Sequence, residues 1–345
     1  MCADADVAFV NGEVHTLGEP DETYEGVAVR DGRVTRLDSD YEIEFSVGVE
    51  TTVVDLGGRV LVPGFADADA RLVAADADAT TGAFRRAQRD ANARGVSEVT
   101  AVAPSPEAAG LARDLSADDD LSLRVTLDHG RERLDALAAL GARTGHGDAW
   151  VRTGALAVPA VGEGGLSAAA RRETVRRADD AGLRVAGRAR ESAAVAALLD
   201  DYEGETPDPA GHRVVGVESV TSTVAERLAD LGVVAVARPD ADAVPILREA
   251  GARVAFGSDG AVRDPLSGVA AAADAGVPVT DALRLHAAPG DALGSAGSSD
   301  APPGALTVGS RADFAVLDGS PWAADPADAA VSMTVVDGDV VHDAR

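Results

Sequence analysis

The chain has 345 residues, and 46% of them are apolar, which is enough to bury a large hydrophobic core. Its 58 acidic residues outnumber its 31 basic residues and give a formal net charge of -27, which excludes nucleic acid and anionic membranes as partners. The sequence has no apolar run of the roughly 18 residues that span a bilayer and no secretory signal at its start, so we expect a cytoplasmic protein.

The kinds of charged residue are unusual. Every basic residue is arginine, and only 3% of the residues are aromatic. An acidic chain without lysine is typical of halophilic proteins, because concentrated salt screens the repulsion between surface carboxylates. The single cysteine, Cys2, excludes an internal disulfide framework and a thiolate cage for a metal.

The N-terminal part of the chain reads as short strands separated by turns. We predict strands at residues 6–10, 13–17, 26–30, 33–38, 52–56 and 59–62. The dipeptides between them that favour tight turns are Asn11-Gly12, Asp31-Gly32 and Gly57-Gly58. This pattern predicts hairpins in an all-β module.

The middle of the chain alternates strands with helices, which predicts a parallel sheet with crossover helices. The predicted strands lie at residues 64–69, 97–103, 121–128, 151–158, 183–189, 213–217, 233–238 and 253–258. The helices include residues 83–94, 167–181, 192–201, 223–231 and 241–250. Eight strand–helix units fit a (β/α)₈ barrel, which needs about 250 residues, and a doubly wound sheet is the alternative.

Short strands return near the C-terminus. They are predicted at residues 312–317, 331–336 and 339–342. Because both ends of the chain are β-rich, we expect residues 1–62 and 304–345 to form one small composite β-sandwich, with residues 63–303 as the barrel domain. The Ser- and Gly-rich stretch 294–304 is the expected connection between them.

Charged residues follow almost every predicted barrel strand, where a barrel of this kind places its function. They are Asp67, Asp69, Arg71, Asp128, His129, Glu163, Arg188, Arg190, Glu218, Arg238, Asp240 and Asp259. Such a ring suits an anionic or zwitterionic small molecule, because guanidinium groups match carboxylate and phosphate oxygens. For binding we single out Asp69, Arg71, Arg188, Glu218 and Arg238. The alternative is a closed set of ion pairs that binds nothing.

His129 is the one histidine that we expect at this end of the barrel, after Asp128. It could serve as a base or a ligand, and the alternative is an ordinary exposed residue in a turn. The remaining histidines are predicted to be structural: His15, His146, His212, His286 and His342.

Three segments carry a family signature. Residues 60–68 read VLVPGFADA, residues 255–259 read AFGSD, and residues 304–318 lead back towards the C-terminal strands. With the N-terminal strands, they resemble the metal-dependent amidohydrolase superfamily, in particular amidohydrolase family 3. The resemblance implies a barrel with a β-sandwich, hydrolysis of carbon–nitrogen bonds other than peptide bonds, and a divalent metal such as zinc.

The family's metal ligands, however, fall on residues of other kinds. The family holds its metal through histidines, an aspartate and sometimes a carboxylated lysine, and the metal activates water. The positions where its histidines and lysine are expected are occupied by Asp69, Arg71, Ala157, Arg188 and Gly216. Asp259 stands where the resemblance places the aspartate that binds metal and transfers protons.

Two functions therefore remain open. The resemblance implies a divergent hydrolase with Asp259, and secondarily His129, as catalytic residues. The ligand losses indicate an inactive homologue that keeps the barrel as a scaffold for a small molecule or a partner. We expect no cofactor, and if any metal binds, a hard cation held by Asp69, Glu218 and Asp259. A homo-oligomer is also left open.

Overall fold

The computed structural model of the chain describes residues 4–72, 80–103, 105–160, 165–287, 304–323 and 325–345. It contains a four-stranded sheet, a six-stranded sheet and an eight-stranded parallel sheet. Within these ranges, no helix has both the length and the apolar character needed to cross a membrane.

The two smaller sheets pack together as the predicted sandwich. Their strands are β1 (Val7–Val10), β2 (Glu13–His15), β3 (Thr23–Tyr24), β4 (Gly26–Arg30), β5 (Arg33–Asp38), β6 (Thr52–Asp55), β7 (Val60–Pro63), β16 (Phe314–Asp318), β17 (Ala330–Val336) and β18 (Asp339–Asp343). The orders are β5-β4-β1-β6 and β18-β17-β16-β7-β2-β3. Because β16 pairs with β7, the two ends of the chain share one sheet. Phe9 and Phe314, one from each sheet, meet edge to face at 5.7 Å between ring centroids.

The predicted hairpin at Asn11-Gly12 is wrong. β1 pairs with β4 and β6, whereas β2 pairs with β3 and β7 in the other sheet. The chain crosses between sheets both here and at Gly57-Gly58, and Gly58 N donates to Asn11 O at 2.7 Å. The apolar residues of β1 and β2 are buried between two opposing sheets. A hairpin that kept both strands in one sheet would not bury them in this way. The turns at 31–32 and 337–338 do close hairpins.

The eight-stranded sheet is the barrel. Its strands are β8 (Phe65–Ala70), β9 (Val96–Val102), β10 (Arg124–Gly130), β11 (Val151–Val158), β12 (Val185–Arg188), β13 (Arg213–Val215), β14 (Val234–Ala237) and β15 (Val254–Phe256). They neighbour one another in chain order, and a bridge between Ala70 and Gly260 joins the two ends. The predicted fold class is therefore confirmed. The doubly wound alternative is wrong, because such a sheet reverses its strand order part-way.

Helices separate the barrel strands. A short helix, α1 (Asp40–Ile43), lies in the sandwich between β5 and β6. The barrel helices are α2 (Thr81–Asn92), α3 (Pro106–Ala117), α4 (Leu134–Ala139), α5 (Ala168–Asp180), α6 (Ser192–Glu205), α7 (Ser222–Asp230), α8 (Ala243–Glu249), α9 (Pro265–Asp274) and α10 (Val279–Ala287). The five predicted helices lie within a few residues of α2, α5, α6, α7 and α8. Thr80 and Ser167 cap α2 and α5 by accepting a backbone N–H three residues on.

The barrel interior is lined by small side chains, mostly alanine and valine. This leaves room for a buried ion pair between two barrel strands. Arg213 begins β13 and is 1% exposed, and its Nη2 donates to both carboxylate oxygens of Asp128 at 2.6 and 2.7 Å. Asp128 Oδ1 also accepts from Ala155 N at 2.7 Å, so three strands are joined inside the barrel.

Arg124 joins the barrel to the sandwich from the first residue of β10. Its guanidinium donates to Asp313 at 2.7 and 3.0 Å and to Asp337 at 2.7 Å, and it lies 4.9 Å from the ring centroid of Trp150. The predicted domain boundary at residue 303 lies outside the described residues, so the division into two domains stays a prediction.

Candidate site at the mouth of the barrel

Arg188, at the end of β12, lies between two carboxylates at the mouth of the barrel. Its Nη2 donates to Asp69 Oδ1 at 3.0 Å and Oδ2 at 2.8 Å, and its Nη1 donates to Asp259 Oδ1 at 2.7 Å. The side chain of Arg188 is 30% exposed, that of Asp69 13% and that of Asp259 20%. One guanidinium therefore joins the ends of β8, β12 and the loop after β15.

Arg190 extends this set of ion pairs outwards. Its Nη2 donates to Asp259 Oδ2 at 2.7 Å, and its Nη1 forms an ion pair with Glu218. Asp69, Arg188, Asp259, Arg190 and Glu218 thus alternate in charge, and we call these five residues the mouth network. Both carboxylate oxygens of Asp259 are engaged within it.

Two glycines make room for the mouth network. A Cβ on Gly216, which follows β13, would lie 3.0 Å from Arg188 Nη1. A Cβ on Gly257, which follows β15, would lie 2.8 Å from Asp69 N, so this glycine lets β8 approach the end of β15. Asp259 itself has a φ of 51°. This is a left-handed conformation that aspartate tolerates better than most residues do.

The electrostatics of the mouth network depend on Arg188. Burial raises the pKa of the Asp69 carboxyl, and the charges of Asp259 and Asp128 raise it further, while Arg188 opposes both effects. Hydrogen bonds to Asp259 and Glu218 raise the pKa of the Arg190 guanidinium. The ionised form of Asp69 therefore relies on its arginine partner.

The other residues singled out from the sequence do not join the mouth network. Arg71 is exposed, and its described contact is a hydrogen bond from its backbone N to Gly260 O at 2.6 Å. Arg238 Nε lies 3.1 Å from Asp240 Oδ1. Glu163 lies outside the described residues.

His129 is also away from the mouth network. It is 3% exposed, so the expectation of an exposed turn residue is wrong, and neither ring nitrogen has a hydrogen-bond partner within the described ranges. Since the neighbouring Asp128 points into the barrel, alternation along β10 directs His129 towards the surrounding helices. Burial, with the charges of Arg113 and Arg133, lowers the pKa of its imidazole.

The roles of three residues, two at the mouth and one inside the barrel, were not predicted from the sequence. Arg190 appeared as one member of the ring of charges, without a role. Gly216 was noted as a lost ligand and not as space for a guanidinium. Arg213 stands two residues before the inward-facing Val215, so alternation along a strand could have placed it inside the barrel.

The residues at the mouth do not fit a divalent metal. Within the described part of the chain, no three His, Cys, Asp or Glu side chains converge as a metal site would require. Asp69 and Asp259 do come together, but around a guanidinium, whose charge repels a cation. Glu218, the third residue of the hard-cation alternative, is engaged by Arg190.

The chain is similar to one protein family and to several solved structures. The model of the amidohydrolase family matches residues 68–342. An uncharacterised metal-dependent hydrolase from Pyrococcus furiosus superposes with a TM-score of 0.76 at 16% identity, covering 91% of this chain and 99% of its own. An adenosine deaminase from Xanthomonas campestris, with bound zinc, gives 0.73 at 17%, covering 99% and 94%. A prolidase complexed with N-methylphosphonate-L-proline gives 0.71 at 16%, covering 98% and 99%. No curated protein matches the sequence.

Proposed function

The chain belongs to the amidohydrolase family, and from this premise we propose that it is a member that no longer performs metal-dependent hydrolysis. In this proposal, the barrel is kept as a scaffold that binds a small molecule or a partner. The proposal follows from the residues at the mouth, since the fold alone is compatible with either function.

The observation that carries the proposal is the position of Arg188. Its guanidinium lies 2.7 to 3.0 Å from oxygens of Asp69 and Asp259, two carboxylates at positions where the family is expected to hold metal. Gly216, at a position expected to hold a histidine, leaves the space that Arg188 Nη1 occupies. The replacements at these positions are therefore linked, because the small residue accommodates the large one.

The chemistry of the mouth network supports the same conclusion. Hydrolysis of an amide needs a group that activates water, and a guanidinium is permanently protonated, so it cannot act as a base. Asp259 accepts a hydrogen bond at each oxygen, from Arg188 and from Arg190, so both of its oxygens are already engaged by guanidinium groups.

A hydrolase of carbon–nitrogen bonds is the second candidate. Family membership favours it, as do structural neighbours that include an adenosine deaminase and a prolidase. In that case, Asp259 would be the residue that transfers protons.

Metal content separates these functions. We expect protein purified in concentrated salt without chelator to contain no stoichiometric zinc, iron, manganese or nickel, even after incubation with excess ions. The matched control is the triple variant Asp69→His, Arg71→His, Arg188→His. It places three imidazoles near Asp259 and removes the guanidinium, and we expect it to take up zinc. A stoichiometric metal in the natural protein that is lost on Asp259→Ala would overturn the proposal and favour the hydrolase.

A further inference from the structure

A cavity of about 320 Å³ lies beside the barrel, apart from the mouth network. It is bounded by the first half of β8, by the carboxyl ends of β14 and β15, and by helices α9 and α10. Much of its wall is apolar, including Val96, Phe256 and Ala271. Its volume is at the lower end of the roughly 300 to 1,000 Å³ that small-molecule sites occupy.

His286, from α10, contributes an unused hydrogen-bond acceptor to the wall. The residue is 8% exposed, and its ring donates to the carbonyl of Ala66. Nε2 has no partner among the described residues, so Nδ1 is the nitrogen that carries the proton. Because burial lowers the pKa of this imidazole to about 4, the ring is neutral near pH 7 and Nε2 is an acceptor.

Asp67, from β8, contributes a second unused acceptor. The residue is 5% exposed, and its Oδ1 accepts from Asp69 N at 3.1 Å and from Ser258 N at 2.9 Å. Its Oδ2 is buried without a partner in the described ranges. A buried acceptor that lacks a donor is costly, so a donor supplied by a ligand would offset that cost at both residues.

The rim of the cavity is charged, whereas much of its wall is apolar. Arg238 lies against Asp240, and Asp264 caps α9 by accepting from Leu266 N and Ser267 N. The guanidinium of Arg263 is exposed and has no ion-pair partner among the described residues. Ser258 Oγ accepts from Arg263 N at 3.0 Å, and Ser258 N donates to Asp67, so Ser258 connects the backbone of Arg263 to Asp67, and both residues line the same cavity.

We propose that this cavity binds a small linear molecule that has an amine or another N–H donor at one end, an apolar middle and a carboxylate at the other. The donor end meets Asp67 and His286, and the carboxylate meets Arg263. Charge-assisted hydrogen bonds at the two ends give the orientation, and burial of the middle adds affinity. The inference rests on the proposed scaffold role, to which it gives a ligand.

Calorimetric titration with three compounds of equal chain length tests this: 6-aminohexanoate, hexylamine and hexanoate. We expect 6-aminohexanoate to bind at least tenfold more tightly than either compound that lacks one end, which corresponds to about 1.4 kcal/mol per lost charged contact. Arg263→Ala should weaken binding of 6-aminohexanoate about tenfold and leave hexylamine unaffected. Arg86→Ala, which removes an exposed arginine of α2, is the matched control and should change neither.

Equal affinity for the three compounds, no binding of any of them, or equal effects of Arg263→Ala and Arg86→Ala would overturn the proposal. Asp67→Asn keeps the acceptor for Asp69 N and Ser258 N but replaces Oδ2, and it should weaken hexylamine and spare hexanoate. If that variant does not fold, the exposed Arg263 still decides the result. Metal content measured on the same samples tests the proposed function separately, so the failure of one is distinguishable from the failure of the other.

Discussion

At the mouth of the barrel, one side chain neutralises two buried or half-buried carboxylates. Burial already raises the pKa of Asp69, so removal of Arg188 would leave it beside Asp259 without a counter-charge. We predict that Arg188→Ala lowers the free energy of unfolding by about 2 kcal/mol. This is below the usual 3 to 5 kcal/mol for breaking a buried pair, because the pair is partly solvated.

Chemical denaturation at fixed salt concentration measures this loss. Arg190→Ala is the matched control, since it removes another arginine of the mouth network whose side chain is 48% exposed, and its cost should stay below about 1 kcal/mol. A second test is the double variant Asp69→Asn, Arg188→Ala, in which loss of the buried charge should restore part of the stability. Equal costs for the two arginines would contradict a special role for Arg188.

The membership of the mouth network could be predicted only in part. Asp69, Arg188, Glu218 and Asp259 were found because each lies at or just after the end of a barrel strand, and the fold brings such residues together. Their pairing depends on the direction of each side chain and on the space around it, which the spacing of residues does not contain. The exposure of Arg71 is the clearest example, because it stands in a ligand position and still makes no ion pair within the described part of the chain.

The element β13 carries a buried histidine just before its first residue. His212 is 0% exposed, its Nδ1 accepts from Val185 N at 2.9 Å, and its ring stacks on Tyr202. Burial lowers the pKa of this imidazole to about 4, against 6.5 for a free one. As the pH falls below about 6.5, the unfolded chain therefore binds a proton that the folded chain does not, and stability falls until about pH 4.

We predict that His212→Asn weakens this pH dependence. Asparagine can keep an acceptor for Val185 N and does not titrate in this range. The stability advantage of the natural protein over the variant should shrink by about 2 kcal/mol between about pH 7 and pH 5, from the linkage of a single proton. His146→Asn, at an exposed histidine, is the control and should leave the pH profile unchanged. Parallel profiles for the natural protein and His212→Asn would contradict the prediction.

Elements were easier to predict from the sequence than their partners were. The barrel strands and the five helices for which bounds were predicted were located within a few residues, because apolar runs and glycine stops mark them. The pairing of β1 was predicted wrongly because Asn11-Gly12 makes a sharp turn equally well within a sheet or between two sheets. The choice depends on burying both faces of the apolar strands, which is a property of the whole sandwich.

For the whole molecule, Arg124 is a buried ionic link between the barrel and the sandwich. Its side chain is 3% exposed, and its partners, Asp313 and Asp337, belong to the C-terminal part of the chain. We predict that Arg124→Met lowers the free energy of unfolding by about 3 kcal/mol, because it leaves two carboxylates uncompensated. Denaturation followed by tryptophan fluorescence checks this, with Arg177→Met as the control for an exposed pair. A cost as small as that of the control would contradict the role of Arg124 in the interface.

The net charge of -27 belongs to the molecule as a whole and suggests how its stability depends on salt. Screening acts over about 10 Å in 0.1 M salt and about 3 Å in 1 M salt, so repulsion between surface carboxylates should fade across this range. We therefore predict that the midpoint of thermal unfolding rises as potassium chloride increases from about 0.1 to 2 M, most steeply at the low end. Sodium chloride should have the same effect as potassium chloride if the cause is screening.

The variant Glu50→Gln, Glu226→Gln, Glu249→Gln neutralises three exposed acidic side chains. It should unfold at a higher temperature than the natural protein in low salt, and its midpoint should rise less as salt is added. A midpoint that falls or stays level with added salt would show that attractive ion pairs, such as those at the mouth of the barrel, outweigh the surface repulsion.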